Sequence, residues 1–270
     1  MCRLYGLCAT EPTKVECTLV HAQNALMTQS RADLSGKSHA HGWGVATYEN
    51  GMPTVERQAW AAYHGEHFKR AAAQIFANTV IAHIRHATVG DAAIENTHPF
   101  VHGKWVFAHN GTVPNFQQIK EKLLGETAPS LRAAIKGQTD SEHIFYYALT
   151  VFEREELDDL QELISRVIGN IEHWCLEIDP SAPIGLNIML TDGRQFAGSR
   201  LGRTLYHIER EGIYDCEICG FPHIHHQQIK EYRAIVVASE PVTHEDWNEI
   251  PNRSVWSIGA DRKGISISSF

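Results

Sequence analysis

The fold is decided by one stretch of the sequence, EELDDLQELISRVIGNIEHWCLEIDPSAPIGLNIMLTDGRQFAGSR (155–200). Its first part, residues 155–172, predicts an amphipathic helix with one apolar stripe, formed by Leu157, Leu160, Ile164, Val167, Ile168 and Ile171. After Pro183 the pattern changes to two short strands, IGLNIML and RQFAGSR, which are separated by the turn residues TDG. A long helix followed by paired strands indicates an α+β protein.

The flanking sequence continues this mixture of helices and strands. Strands are predicted at 2–8, 43–48, 54–60, 80–85 and 104–109, and in TLYHIER, YRAIVVAS and RSVWSI near the end. Helices are predicted over 66–79, after a cap at Asn115 and after a cap at Asp140. No linker divides the chain, so we expect a single domain over 2–270 with stacked sheets and covering helices.

Composition and charge exclude several classes of protein. The 270 residues are 43% hydrophobic and 21% charged, which is typical of a globular protein. The net charge of -8, without a basic stripe, argues against a nucleic-acid partner. No apolar run approaches the roughly 20 residues that span a bilayer, and the N-terminus lacks the features of a secretory signal. Six cysteines in a chain of this length indicate reduced thiols, so we expect a cytoplasmic protein without membrane contact.

The first candidate for chemistry is Cys2, directly behind the initiator methionine. Removal of Met1 would place a thiol and a free α-amine on one residue. Their ordinary pKa values are roughly 8.5 and 8, so the amine can accept the thiol proton near neutral pH. The resulting thiolate is a nucleophile. Taken alone, a cysteine at this position is more often a small hydrophobic residue.

Four further motifs follow Cys2: HGWGVATY (41–48), AHIRHATVG (82–90) with ENTHPF (95–100), FAHNGTVPNF (107–116) and GQTDSEHIF (137–145). They suit an enzyme that cleaves the side-chain amide of an α-amino acid. Arg85 would bind the substrate carboxylate through two parallel hydrogen bonds, and Asp140 would bind its ammonium group. The amide of Asn110 and the backbone N–H of Gly111 would stabilise the oxyanion.

Each of these residues also has an ordinary structural interpretation. Asn110-Gly111 is a strong turn signal, Arg85 could form a structural ion pair, and Asp140 could serve only as a helix cap. Singly, the two interpretations are evenly matched. Their joint occurrence in this order behind Cys2 favours an enzyme.

Together these motifs resemble the class II glutamine amidotransferases of the N-terminal-nucleophile (Ntn) hydrolase superfamily. The likeness lies in Cys2, HIRHAT (83–88), NTHP (96–99), HNG (109–111), TD (139–140) and ASEP (238–241). It covers nearly the whole chain and is most specific over residues 2–145. The resemblance implies an α+β fold of the four-layer αββα sandwich type, the Ntn-hydrolase fold.

The resemblance also implies roles for individual residues. Cys2 would be the nucleophile with its own α-amine as base, and Asn110 and Gly111 would form the oxyanion hole. The substrate would be bound by Arg85, Thr88, His98 and Asp140. One departure is His86, because many members have tryptophan there, and this leaves the wall of the glutamine pocket open.

The implied activity is hydrolysis of the γ-amide of glutamine or of a γ-glutamyl compound through a Cys2 thioester, with release of ammonia or an amine. There is no room for a fused synthase domain, so we expect a stand-alone glutaminase domain. It would act alone on a γ-glutamyl small molecule or supply ammonia to a separate acceptor or synthase subunit. The alternative is a catalytically silent or zinc-binding relative that acts as a binding subunit.

One segment lies outside this pattern, DCEICGFPHIHH (215–226). It places Cys216 and Cys219 in C-x-x-C spacing, followed closely by His223 and His225. Two thiolates and two imidazoles could form a tetrahedral structural zinc site. The spacing matches no standard zinc finger, and a hairpin with unligated side chains is the alternative. No other cofactor is expected.

Overall fold

The computed structural model describes residues 2–224 and 231–270. Its strands are, in chain order, β1 (Arg3–Lys14), β2 (Trp43–Glu49), β3 (Met52–Gln58), β4 (Phe76–Ile84), β5 (Phe100–His102), β6 (Trp105–Thr112), β7 (Gly185–Thr191), β8 (Phe196–Arg200), β9 (Tyr206–Glu211), β10 (Arg233–Ala238), β11 (Asn248–Glu249), β12 (Ser254–Ile258) and β13 (Ile265–Ser269). Its α-helices are α1 (Leu26–Arg31), α2 (His67–Gln74), α3 (Phe116–Glu126), α4 (Pro129–Arg132), α5 (Asp140–Arg154) and α6 (Leu160–Ile178). A π-helical turn, Cys17–His21, follows β1, and a 3₁₀ turn, Ile94–Asn96, precedes β5.

The strands form two antiparallel sheets. The first sheet has the order β11-β9-β10-β1-β4-β2-β3, with β1 at its centre. The second sheet has the order β13-β12-β8-β7-β6-β5. Strand β1 begins directly after Cys2, and β6, next to the edge strand β5, carries Asn110 and Gly111 near its end.

The alternation of side chains along β1 explains how the first sheet is covered on both faces. Tyr5 and Leu7 point outward into a core shared with the π-helical turn, α1 and α2. Leu4 and Cys8 point the other way, into a core between the two sheets. All four side chains are buried, so β1 lies in the interior of the molecule.

The second sheet repeats this arrangement with the other helices. Val106 and Ala108 of β6 face the core between the sheets, whereas Phe107 faces α5 and stacks on Phe145 with ring centroids 5.3 Å apart. Helices α3, α5 and α6 pack together over this outer face. The resulting layers are helix, sheet, sheet and helix, which confirms the predicted αββα sandwich. Among the described helices, none combines the length and apolar character that crossing a bilayer requires.

The helix predicted over 66–79 is wrong in its second half. Helix α2 ends at Gln74, and the chain then continues as β4. Thr79 pairs with Cys8 of β1, and the following β-branched residues Val80 and Ile81 continue this pairing. At the end of the predicted helix, strand pairing in the sheet therefore overrides the helical spacing of the sequence.

The long helix predicted at 155–172 is α6, and its apolar stripe is buried as expected. It starts later than predicted, because the side chain of Asp159 accepts hydrogen bonds from the backbone of Gln161 and Glu162 and caps it, and it continues to Ile178, beyond the predicted end. Leu157 precedes the helix and is partly buried against the same core.

Of the two predicted helix caps, Asn115 is confirmed as the residue at the cap position, whereas Asp140 is wrong. Helix α5 is capped by Thr139, whose hydroxyl accepts a hydrogen bond from the Glu142 N–H at 3.2 Å, and Asp140 is its first residue. Asn115 does precede α3, but with a left-handed backbone and without a side-chain capping bond. The Asp140 carboxylate is therefore left for other contacts.

Candidate active site

Cys2 lies immediately before β1, with its thiol against the backbone of His86. The His86 N–H donates to Cys2 Sγ at 3.4 Å, and Sγ lies 3.6 Å from the His86 carbonyl oxygen. Burial raises the pKa of the Cys2 thiol, while the His86 hydrogen bond and the positive charge of Arg85 oppose this effect. Conversion of this thiol to a thiolate therefore requires a nearby base.

The backbone of Cys2 is held by a buried charge network that the sequence motifs do not include. Arg3 donates through Nη1 to the Cys2 carbonyl at 3.0 Å, and through Nη2 to the carboxylates of Asp33 and Glu240. Asp33 also contacts His39 Nε2 at 3.0 Å. Although burial opposes it, hydrogen bonds from neighbouring donors hold the pKa of Asp33 well below its usual range. An arginine next to Cys2, directly before the apolar run at 4–9, is the sequence signal that could have indicated this network.

Arg85 follows β4 and lies near both Cys2 and Asp140. It is 2% exposed, and burial lowers the pKa of its guanidinium, while the charges of Cys2 and Asp140 act in the opposite direction. Its side chain donates to three backbone carbonyl oxygens, those of Val89 at 2.9 Å, Gly90 at 3.0 Å and Asp91 at 2.7 Å. These acceptors are uncharged and leave other N–H groups of the guanidinium for a substrate carboxylate.

Asn110 and Gly111 do not form a turn, because both belong to β6 and pair with β7. A Cβ atom on Gly111 would lie 1.9 Å from the Gly185 carbonyl oxygen, so glycine is required for the two strands to approach this closely. The strong local turn signal is therefore overridden by strand pairing.

The Asn110 side chain links the two sheets. Its Nδ2 donates to Ser239 Oγ at 3.3 Å, and the same hydroxyl oxygen accepts the Leu4 N–H at 2.9 Å. Within the described part of the chain, Asn110 Oδ1 has no hydrogen-bond partner. Ser239, part of the ASEP segment, thus connects the candidate oxyanion donor to the strand that carries Cys2.

Asp140 begins α5 and is 4% exposed. Its Oδ2 accepts the Val113 N–H at 3.0 Å, and its Oδ1 accepts the N–H of Ser141 at 2.8 Å and the hydroxyl of Ser141 at 3.2 Å. A carboxylate offers about four acceptor positions, so Asp140 retains capacity for a substrate ammonium group. His109 Nδ1 lies 2.9 Å from Ser141 Oγ and joins β6 to the start of this helix.

The two remaining substrate-binding candidates lie in contrasting environments. Thr88 is exposed in the bend that follows Arg85. His98 is 3% exposed and stacks on His83 with ring centroids 4.1 Å apart. Burial holds the pKa of both imidazoles well below the usual value, so both rings are neutral. His98 packs in the core, and its contact with substrate, like that of Thr88, stays a prediction.

At the position of the family tryptophan, His86 belongs to a group of three histidines beside the Cys2 thiol. Its ring centroid lies 5.4 Å from that of His41 and 5.7 Å from that of His39. Its Nδ1 is 2.9 Å from the Ser38 carbonyl oxygen. The 38–41 loop therefore supports His86 at the expected wall of the glutamine pocket. Trp43, which follows His41 in the motif HGWGVATY (41–48), is fully buried against Phe68 and has a packing role.

Of the zinc candidates, Cys216, Cys219 and His223 come together, and they do so with Cys17, which the sequence pattern did not indicate. His225 lies outside the described residues.

Comparison with known proteins identifies the family of this chain. The sequence model described as "Glutamine amidotransferases class-II" matches residues 1–264. A probable glutamine amidotransferase of Saccharomyces cerevisiae, DUG3, is 28% identical over 96% of this chain and 82% of its own length. The gamma-glutamyl-hercynylcysteine sulfoxide hydrolase of Mycobacterium tuberculosis is 24% identical over 100% of this chain and 97% of its own. Among solved structures, a glutamine aminotransferase class-II domain protein from Silicibacter pomeroyi superposes with a TM-score of 0.65 at 20% identity, over 99% of both chains, which supports the fold. The chain therefore belongs to the class II glutamine amidotransferases.

Proposed function

We propose that this protein hydrolyses the γ-amide of a γ-glutamyl compound, with Cys2 as nucleophile after removal of Met1. The observation that carries the proposal is the convergence of a thiol, a guanidinium and a carboxylate from three separate segments. Cys2, Arg85 and Asp140 lie close enough for their charges to influence one another. Asn110 is tied to the same region through Ser239.

The charges of this group match the two ends of an α-amino acid. The guanidinium of Arg85 is held by neutral carbonyl oxygens, so its positive charge is available to a substrate carboxylate. The Asp140 carboxylate is fixed by the backbone of Val113 and Ser141 and attracts the substrate ammonium group. Together they place the γ-carbonyl of the substrate near the Cys2 thiol.

The reaction proceeds in two steps. The α-amine of Cys2 takes the thiol proton, and the thiolate attacks the γ-carbonyl carbon to form a tetrahedral oxyanion that Asn110 and Gly111 stabilise. The C–N bond then breaks, the leaving nitrogen takes the proton, and a thioester remains. Water attacks the thioester, releases the γ-carboxylate and restores the thiol. Because burial raises the thiol pKa, the terminal amine is needed as base.

The leaving group is less constrained than the γ-glutamyl half. Arg85, Asp140 and Asn110 account for the carboxylate, the ammonium and the carbonyl of the substrate, whereas none of the proposed contacts fixes the amine that departs. The M. tuberculosis relative, which matches this chain over nearly its whole length, is named for a γ-glutamyl substrate with a large leaving group. We therefore favour a γ-glutamyl amine or peptide over free glutamine.

Competition kinetics between glutamine and a series of γ-glutamyl amides test the substrate class. A higher kcat/KM for a γ-glutamyl amine or peptide is expected. Preference for glutamine, with turnover raised by a separate synthase subunit, would instead assign the protein to ammonia supply. The absence of turnover with every compound would support a catalytically silent binding subunit.

A labelling experiment tests the nucleophile separately. A glutamine-like diazoketone should modify the wild-type protein at Cys2, and Cys2→Ala should lose both labelling and hydrolysis. Cys8→Ala is the matched control, because Cys8 is buried in β1 and remote from the chain end. Intact mass should show that active protein lacks Met1. Full activity in protein that retains Met1 would contradict the role of the α-amine.

A further inference from the structure

A second group of reactive side chains lies at the opposite end of β1 from Cys2. Cys17 begins the π-helical turn that follows β1, while Cys216, Cys219 and His223 belong to the segment between β9 and β10. One ligand atom from each of these four residues lies within 4.8 Å of all the others. None of them takes part in the proposed hydrolysis.

We propose that Cys17, Cys216, Cys219 and His223 form a structural zinc site. Tetrahedral Zn²⁺ with bonds of about 2.3 Å to sulfur and 2.0 Å to nitrogen requires separations of roughly 3.5 Å between sulfur and nitrogen and roughly 3.8 Å between two sulfur atoms. Cys219 Sγ and His223 Nε2 are already 3.5 Å apart, and the whole group needs only a small contraction. A closed set of three thiolates and one imidazole is typical of a structural rather than a catalytic zinc ion.

The backbone around the C-x-x-C pair is arranged to present both sulfur atoms. The Ile218 N–H donates to Cys216 Sγ at 3.4 Å, and the Gly220 N–H donates to the Cys216 carbonyl at 2.8 Å. Gly220 has a φ of +72°, a left-handed conformation that favours glycine and reverses the direction of the chain before Phe221. A backbone donor on a ligand sulfur stabilises the negative charge that the thiolate carries when it binds a metal.

The site would join two parts of the molecule that are distant in sequence. The His223 carbonyl accepts a hydrogen bond from the Lys14 N–H at 2.8 Å, so the segment is already anchored at the end of β1. Ile218 and Ile224 pack against the outer core of the first sheet. Zinc at this point would fix the 215–224 segment to the N-terminal strand. His225 is not needed, because Cys17 supplies the fourth ligand.

Metal analysis of the purified full-length protein tests the proposal. Protein prepared without chelators or a histidine tag should contain about one zinc ion per chain. Cys219→Ser and His223→Gln should each weaken zinc binding at least about 100-fold, since loss of a direct ligand exceeds the effect of an outer contact. Cys219 is exposed, so its replacement does not open the core. Cys175→Ser is the matched control, because Cys175 is a thiol in α6 outside the cluster and should leave zinc content unchanged.

Cobalt substitution gives an independent measurement. Co²⁺ in this site should show thiolate-to-metal charge transfer and the intense visible absorption of a tetrahedral complex, and Cys219→Ser should reduce the charge transfer. Chelation should lower the melting temperature of the wild-type protein, with recovery on addition of Zn²⁺ but not Mg²⁺. The proposal would be overturned by reduced protein that neither contains nor takes up zinc. It would also be overturned by equal zinc content in Cys219→Ser and the control, or by a disulfide among Cys17, Cys216 and Cys219 in protein kept under reducing conditions.

Discussion

Replacement of Gly111 by alanine tests whether the close pairing of β6 and β7 positions the proposed oxyanion hole. The added Cβ atom would lie 1.9 Å from the Gly185 carbonyl oxygen, 2.3 Å from the Gly185 carbonyl carbon and 2.5 Å from His109 Nε2. Non-bonded atoms prefer separations of about 3.5 Å, so the two backbones must move apart by roughly 1.5 Å. The contact is with backbone on the opposite strand, which cannot rotate away as a side chain can.

This displacement should reduce both stability and catalysis. Overpacking of an interior by one methyl group destabilises by about 1 to 3 kcal/mol, and the backbone contact places Gly111→Ala at about 3 kcal/mol or more. Misplacement of a reacting group by about 1 Å can reduce the rate roughly 100-fold. We therefore expect kcat of the folded variant to fall about 100-fold or more. KM should change less, because Arg85 and Asp140 lie on other elements.

Urea unfolding and steady-state kinetics on one γ-glutamyl substrate measure the two effects. Gly169→Ala is the control, because Gly169 lies within α6 and its Cβ position has no neighbour within 4 Å. It should stabilise the protein by up to about 1 kcal/mol and leave the kinetics unchanged. A Gly111→Ala protein with wild-type stability would refute the packing argument. A destabilised variant with full kcat would refute the link to the oxyanion hole.

Three further perturbations test the site and its surroundings. Asn110→Ala should lower kcat roughly 100- to 1000-fold, as for loss of one oxyanion donor, and a change confined to KM would assign Asn110 to substrate binding. Arg85→Ala should weaken use of γ-glutamyl substrates. Arg85→Lys should recover little activity, because lysine cannot bind the 89–91 carbonyls and a carboxylate at the same time. Near wild-type kinetics in the lysine variant would contradict this expectation. Acidification should destabilise the protein. Burial lowers the folded-state pKa of four histidines below 6.5, so the unfolded chain binds protons at a higher pH than the folded chain does. These histidines are His39, with a pKa of about 4, and His83, His98 and His109. Stability present above pH 6.5 is lost as the pH falls toward the folded-state pKa values. For His39, whose folded-state pKa is about 4, the loss between pH 6 and 5 is about 1 kcal/mol, and a free energy of unfolding in urea that does not change with pH would refute this expectation.

Much of the candidate site could be predicted from sequence because its residues stand in short motifs at the ends of elements. Arg85 follows β4 and Asp140 starts α5, as the patterns around them indicated. The apolar stripe of α6 could also be predicted, because its burial depends on regular helical spacing. In these cases the local sequence and the tertiary structure favour the same conformation.

The local prediction failed where contacts with another strand decide the conformation. Asn110-Gly111 is a strong turn signal, yet it continues β6, because the glycine permits the close approach of the Gly185 carbonyl group on β7. The last residues of the helix predicted over 66–79 belong instead to β4, because they pair with β1 in the first sheet. A single sequence does not reveal which strand lies opposite.

Groups assembled from distant parts of the chain were also missed. The network of Arg3, Asp33 and Glu240 and the approach of Cys17 to the C-x-x-C segment both depend on β10 lying beside β1. Spacing rules describe ligands that are close in sequence, so they suggested His225 as the fourth zinc ligand. The topology of the first sheet brings Cys17 beside Cys216, Cys219 and His223, which those spacing rules did not indicate.

The distribution of the site over both sheets explains how its geometry is maintained. Cys2 lies next to the first sheet, and Asn110 lies on the second, so the distance between the proposed nucleophile and the proposed oxyanion donor depends on how the sheets pack. The hydrogen bonds that cross this interface include those from Asn110 to Ser239 Oγ at 3.3 Å and from His83 Nε2 to the His109 carbonyl oxygen at 3.3 Å. Because His83 is neutral, it spans the core without burying a charge. Beside the Cys2 thiol, the loops at 38–41 and 86–91 meet through the rings of His39, His41 and His86 and through the contact of His86 Nδ1 with the Ser38 carbonyl oxygen. We therefore expect changes in these loops to alter the proposed leaving-group specificity, while the sheet packing preserves the relative positions of Cys2 and Asn110.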